Sequence, residues 1–128
     1  MIRTATVTLL FSLSLLIAAH VEAQQFGGAL AVSVDEILVG EAGNQTLSGI
    51  VYVFEDSNGV WSETGQIRVT DVARAPDGFG QALAADESTL LAGAPIEGAV
   101  YVFGRGAGGD WSRQERISGP EDGSFGAA

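Results

Sequence analysis

Carboxylates are the only side chains in this sequence numerous enough to support acid–base or metal chemistry. The 128 residues include sixteen Asp and Glu against six cationic residues, all of them Arg. His20 is the single histidine, and there is no cysteine. Disulfides, thiolate nucleophiles, cysteine zinc sites and lysine Schiff bases are therefore excluded.

Paired carboxylates are the remaining route to catalysis, and the clearest pair is Asp86 with Glu87. Glycosidase-type chemistry needs two carboxyl groups on either side of one substrate bond. Adjacent residues on an extended chain point to opposite faces, so this pair does not meet that requirement. We therefore expect no catalytic residue and no enzyme activity in this segment.

Four residues are weak candidates for calcium binding. Asp35 and Asp86 lie in short connections, and Asp56 and Asn58 lie in the segment Asp56-Ser57-Asn58-Gly59. Calcium takes six to eight oxygen ligands, and these connections are too short to wrap a cation. Solvated turn side chains are the simpler interpretation, so no cofactor is expected.

The net charge of -10 bears on the partners of the protein. Binding to nucleic-acid backbones or to anionic membrane surfaces needs clustered cations. Neither is expected here, and the surface is predicted to be soluble and acidic.

Residues 1–23 resemble a secretory signal peptide. Arg3 precedes an apolar run from Ala5 to Ala19, and small residues precede a cut after Ala23. The run is shorter than the roughly 20 residues that span a bilayer, which disfavours the alternative of an uncleaved anchor. We expect a secreted protein whose mature segment does not insert into a membrane. Cleavage would also remove His20, and with it any histidine general base or metal ligand.

The rest of the chain repeats itself. Phe26-Gly27 recurs as Phe79-Gly80 and again as Phe125-Gly126, and Gly49–Phe54 matches Gly98–Phe103. Trp61-Ser62 and Ile67 also recur, as Trp111-Ser112 and Ile117. Length differences fall between the matched blocks, where loops tolerate insertions.

Each copy contains four short predicted strands and no helical periodicity. The predicted bounds are Gly28–Ser33, Glu36–Gly40, Gly49–Glu55 and Trp61–Thr70, then Ala82–Asp86, Thr89–Ala94, Ala99–Gly104 and Asp110–Ser118. Val51-Tyr52-Val53-Phe54 is apolar at every position, which predicts a strand covered on both faces. The predicted fold is all-β, with two four-stranded antiparallel propeller blades and the start of a third. A two-sheet sandwich is the alternative.

The predicted organisation is a signal peptide over 1–23, blades over 24–78 and 79–124, and the opening of a third repeat over 125–128. Two blades do not close a ring, since propellers have about four to eight. We therefore expect a piece of a longer chain, with further blades supplied by that chain or by self-association.

Phe79-Gly80, Leu90–Pro95, Gly98–Phe103 and Trp111 together resemble an FG-GAP repeat of the bacterial type. The resemblance covers essentially Phe26 to Ala128. It implies a blade of the β-propeller found in the N-terminal head of integrin α chains, and an extracellular binding or adhesion role. Members of the family often hold calcium in a loop with alternating Asp residues, which this sequence lacks. The first copy also departs from the pattern, with Gly40-Glu41-Ala42 where Gly-Ala-Pro is expected.

The expected function is therefore binding or adhesion to an extracellular protein or glycan. The loops that contain Glu41, Asn44 and Glu97 are the candidate contact surface, because they join the second and third strands of each repeat. Asn44-Gln45-Thr46 is also a glycosylation sequon in an exported chain. The alternatives are an accessory propeller of a secreted hydrolase and a purely structural extracellular spacer.

Overall fold

The computed structural model describes residues 26–43, 46–71, 75–120 and 123–128. The predicted signal peptide lies outside these residues. Within them the chain forms strands, turns and bends, with no helix. No helix long and apolar enough to cross a membrane is therefore found in the described part of the chain.

Eight strands form two four-stranded antiparallel sheets, and the all-β prediction is confirmed. Sheet order follows chain order in both, β1-β2-β3-β4 and β5-β6-β7-β8. We call these sheets blade 1 and blade 2. The strands are β1 Phe26–Ser33, β2 Glu36–Glu41, β3 Ile50–Ser57, β4 Val60–Ile67, β5 Ala82–Ala85, β6 Thr89–Ala94, β7 Ala99–Arg105 and β8 Trp111–Ser118.

The strand ends differ from the sequence prediction by a few residues, for local reasons. β4 ends at Ile67 and not Thr70, because its pairing with β3 ends at Val51↔Ile67. β5 stops at Ala85 because the Asp86 carboxylate accepts hydrogen bonds from the backbone N–H groups of Ser88 and Thr89. That side chain closes the turn before β6.

The β3–β4 hairpin of blade 1 closes through Asn58-Gly59. Both residues have positive φ, 55° and 84°. Two successive positive φ angles match a type I′ turn, whose twist suits a two-residue hairpin. The Asn-Gly pair therefore acts as a turn, as the sequence predicts.

The two blades pack face against face around one apolar core. Each blade has two faces, and we define the back face of blade 1 by Leu38, Val51, Val53 and Ile67, all buried. It packs on the front face of blade 2, defined by Leu90, Ala92, Tyr101 and Phe103. Phe79 lies between them with an edge-on ring contact to Tyr101, the centroids 5.7 Å apart.

The expectation that apolar strands are covered on both faces holds for only one face of each blade. Val51 and Val53 are buried, whereas Tyr52 and Phe54, which point to the opposite face, are half-buried. The reason is that each blade has one neighbouring blade within this chain. A simple two-sheet sandwich would carry polar outer faces, but here Leu30 and Val32 of blade 1 and Leu91 and Ile117 of blade 2 are exposed on them.

Candidate functional site

The connections of the two blades lie at two opposite ends of the sheets. The β1–β2 and β3–β4 turns, with their counterparts in blade 2, form what we call the hairpin end. The β2–β3 loop of blade 1 and its counterpart, Pro95–Gly98, form the loop end. Because both blades have the same strand order, their corresponding loops meet at the same end.

A buried carboxylate joins the blades at the hairpin end. Glu36, at the start of β2, is 1% exposed. Its Oε1 accepts a hydrogen bond from Nη2 of Arg105 at 2.8 Å, and its Oε2 accepts one from Nε1 of Trp111 at 2.9 Å. We call these three residues the Glu36 cluster. A carboxylate removed from water in this way needs hydrogen-bond donors, and each of its two oxygens has one here.

A polar cavity of about 180 Å³ adjoins the Glu36 cluster between the blades. Glu55, Gln66 and Asp110 line it together with Glu36 and Trp111. Its volume fits a few water molecules more closely than a drug-sized ligand, whose pockets occupy about 300–1,000 Å³. The cavity is therefore a feature of the blade junction.

The four calcium candidates all lie at the hairpin end but do not converge. Asp35 is exposed and lies 3.4 Å from Arg105 Nη2. Asp86 is occupied by the turn before β6, and those two backbone N–H donors hold the pKa of its carboxyl below the usual value. Asp56 and Asn58 belong to the β3–β4 hairpin of blade 1. Over the described residues no group of three or more acidic or histidine side chains is placed to hold a metal ion.

The loop end contains a Tyr–Glu pair in each blade. Tyr52 donates its hydroxyl proton to Glu41 at 2.6 Å, and Tyr101 donates to Glu97 at 2.7 Å. The hydrogen bond to Glu41 raises the pKa of Tyr52. Burial, with the hydrogen bond to Glu97, raises the pKa of Tyr101 to about 12. The contact-loop candidates Glu41 and Glu97 therefore hold their own blades together through these tyrosines.

Arg116 fixes the Glu97 side of the loop end. Its Nη2 and Nε lie 2.8 and 3.0 Å from Glu97 Oε1. Arg116 and Arg113 both stack on the Tyr101 ring, each with its guanidinium carbon 5.9 Å from the centroid. The polar surface beside the Pro95–Gly98 loop is therefore preorganised by ion pairing and cation–π contacts.

Exposed aliphatic side chains stand at the tips of both connections of the loop end. Leu47 is 57% exposed and Ile96 is 51% exposed. Ile96 borders an open cavity of about 370 Å³ with Pro95, Arg116 and Pro120. Asn44, the third contact-loop candidate and the sequon residue, lies outside the described residues.

Asp77 closes the loop end behind these tips, and the sequence analysis treats it only as a turn residue. It is fully buried, and its Oδ1 accepts hydrogen bonds from the N–H groups of Gly49 and Phe79, both at 3.0 Å. Asp77 thereby ties the start of β3 to the Phe79-Gly80 segment that opens blade 2. An acidic residue two positions before the Phe-Gly pair was the available signal for this role.

The Glu36 cluster was also not predicted. Trp111 recurs as Trp61, but the recurrence does not predict that Trp111 donates a hydrogen bond to Glu36. Glu36 and Arg105, however, correspond to Thr89 and Asp56 in the other copy, so the repeat pattern does not single them out.

No protein-family model, curated protein or solved structure matches this chain. The FG-GAP resemblance therefore depends on the sequence motifs alone.

Proposed function

We propose that this chain is a blade pair of an FG-GAP-type β-propeller that serves as a secreted or cell-surface binding and adhesion module. Its mechanism is recognition of an extracellular protein or glycan by loops on a rigid scaffold, without bond making or breaking. The proposal assigns recognition to the loop end.

The observation that carries the proposal is the pairing of exposed aliphatic tips with fixed polar groups at that end. Leu47 and Ile96 occupy corresponding connections of the two blades, and both are more than half exposed. Beside Ile96, the Glu97–Arg116 ion pair is held by Tyr101. An apolar anchor beside ordered polar groups is the usual anatomy of a recognition surface, because little side-chain entropy remains to be lost on binding.

The charge of the chain favours a partner with a complementary cationic surface. Sixteen acidic residues against six cationic ones give a net charge of -10. Opposite charge on the partner would speed association and make it sensitive to salt.

The proposal is tested by probing arrays of extracellular protein domains and glycans with the purified chain. Ile96→Asp places a charge at the loop end and is expected to abolish binding. The matched control is Val60→Asp, which places the same charge at an exposed aliphatic residue of the hairpin end, where Val60 is 67% exposed. The absence of any bound protein or glycan, or equal binding by both variants, would contradict the proposed function.

A further inference from the structure

The back face of blade 2 is the face whose residues correspond to the buried back face of blade 1, but in blade 2 this face is exposed. Leu38 and Ile67 of blade 1 are 0% and 6% exposed, whereas the corresponding Leu91 and Ile117 of blade 2 are each 40% exposed. The free face forms an apolar depression of about 270 Å³, lined by Ala84, Leu91, Val100 and neighbouring small residues. The free back face of blade 2 therefore has the apolar composition of a buried interface.

The front face of blade 1 corresponds to the buried front face of blade 2, but in blade 1 this face is exposed. Phe79 and Tyr101 of blade 2 are buried against blade 1, at 0% and 1% exposure. The corresponding Phe26 of blade 1 is 55% exposed, although its ring already contacts Tyr52 with the centroids 5.3 Å apart. Leu30 is 63% exposed on the same face. Blade 1 thus presents in solvent the surface that blade 2 uses to cover its neighbour.

We propose that the back face of blade 2 binds the front face of blade 1 of a second copy of this chain. The interface within the chain is the template, since it joins the same two faces with corresponding residues. The two faces differ, so the contact is head-to-tail. Such a contact either closes into a ring or continues as a filament, and a ring of about four to eight blades would contain about two to four copies.

The contact between copies lacks the polar cluster of the contact within the chain. Thr89 and Asp56 would stand where Glu36 and Arg105 form their ion pair, with Trp61 in the place of Trp111. The apolar part of the interface is retained and the charged part is not. Association between copies is therefore weaker than the packing of the two blades within one chain, and it depends on concentration.

Residues 125–128 partly cover the proposed docking face. A side chain at Gly93 would overlap the Gly126 carbonyl oxygen, just as a side chain at Gly40 would overlap that of Gly80. Gly27, Gly80 and Gly126 share positive φ angles of 80°, 84° and 90°. Gly126 therefore occupies the position that Gly27 of a second copy would take, and the segment 125–128 competes with docking.

The test is the mass of the purified, exported chain in solution, measured by sedimentation equilibrium over a range of concentrations. The mass is expected to rise in whole multiples of one chain. Leu91→Asp on the back face and Leu30→Asp on the front face should each weaken association roughly a hundredfold or more, because an unpaired carboxylate would be buried. Both residues are exposed in the single chain, so both variants should fold. Val60→Asp is the matched control and should associate like the unmodified chain.

Mixing the two variants gives the sharpest result. Each variant retains one intact face, so an equimolar mixture should form a dimer with one copy of each, and nothing larger. A chain that lacks residues 124–128 should associate at lower concentration than the full chain.

Three results would overturn the proposal. The first is an unmodified chain that stays monomeric at every concentration. The second is a Leu30→Asp or Leu91→Asp variant that still dimerises by itself, which would indicate like faces in contact. The third is a mixture that yields no dimer.

Discussion

Blade 1 and blade 2 contain the same strands in the same order but bury opposite faces. β3 and β7 correspond residue by residue, yet Val51 and Val53 are buried in the first, and Ala99, Tyr101 and Phe103 in the second. The difference has a geometric cause, because each blade is covered only on the side where the other blade lies. The repeated sequence thus specifies the blade, and the neighbouring blade decides which face becomes core.

The polar contacts of the two blades differ in another way. A Tyr–Glu hydrogen bond occurs at the loop end of both blades, although Glu41 is the last residue of β2, not a loop residue as predicted, whereas Glu97 lies in the loop after β6. The Glu36 cluster occurs only at the junction within the chain. The Glu36 cluster therefore joins the two blades to each other, while the Tyr–Glu hydrogen bonds stabilise each blade.

The largest expected effect concerns the Glu36 cluster. Arg105→Met would leave Glu36 buried without its cationic partner, so the free energy of unfolding should fall by about 3–5 kcal/mol. The matched control is Arg113→Met, which removes an ion pair with Asp71 whose side chains are 41% and 61% exposed. That change should cost much less than Arg105→Met, because a solvent-exposed ion pair contributes little to stability. Denaturant titration measures both, and equal costs would show that the buried cluster does not hold the blades together.

A second comparison uses two corresponding glycines. Gly40→Ala places a methyl group against the carbonyl of Gly80 inside the blade junction and should destabilise the fold by about 1–3 kcal/mol. Gly93→Ala meets the carbonyl of Gly126, which belongs to no strand of either blade. Its effect on the free energy of unfolding should stay within about 0.5 kcal/mol. A larger loss at Gly93 than at Gly40 would reverse the assignment of covered and free back faces.

The smallest expected effect is the alkaline titration of the two tyrosines. The pKa of Tyr101 is raised from 10.0 to about 12. The folded state therefore favours the neutral phenol, and this contribution is present in full below pH 10 and lost as pH rises towards 12. Tyrosinate absorbance, followed together with denaturant unfolding across this range, should show stability falling with pH. Tyr101→Phe should flatten that fall more than Tyr52→Phe, and an equal or opposite ranking would contradict the difference in burial between the blades.

The sequence predicts the eight strands well because their signals are local. Short apolar runs such as Val51-Tyr52-Val53-Phe54 and turn sequences such as Asn58-Gly59 each act within one hairpin, and the repeat presents them twice. The Glu36 cluster joins residues about seventy positions apart, and neither Glu36 nor Arg105 repeats. No local pattern distinguishes them from the other charged residues of a solvated turn.

The candidate contact surface was only partly predictable. The loops at Glu41 and Glu97 were identified from their place between strands, but the partners of both carboxylates are tyrosines on the following strand of each blade. Sheet register aligns these side chains, and register is set by pairing along whole strands. The exposed tips Leu47 and Ile96 emerge only when both loops are placed at one end of the blades.

The central claim is that one stacking contact covers the back face of blade 1 and leaves the same face of blade 2 free. It is tested most directly by comparing Leu38→Ala with Leu91→Ala, two identical substitutions at corresponding positions, at concentrations where the chain is monomeric. Leu38→Ala should lower the free energy of unfolding by about 2–5 kcal/mol, as for a fully buried leucine. Leu91→Ala should cost about 1 kcal/mol or less, because that side chain is already 40% exposed. Equal costs at the two positions would contradict the account.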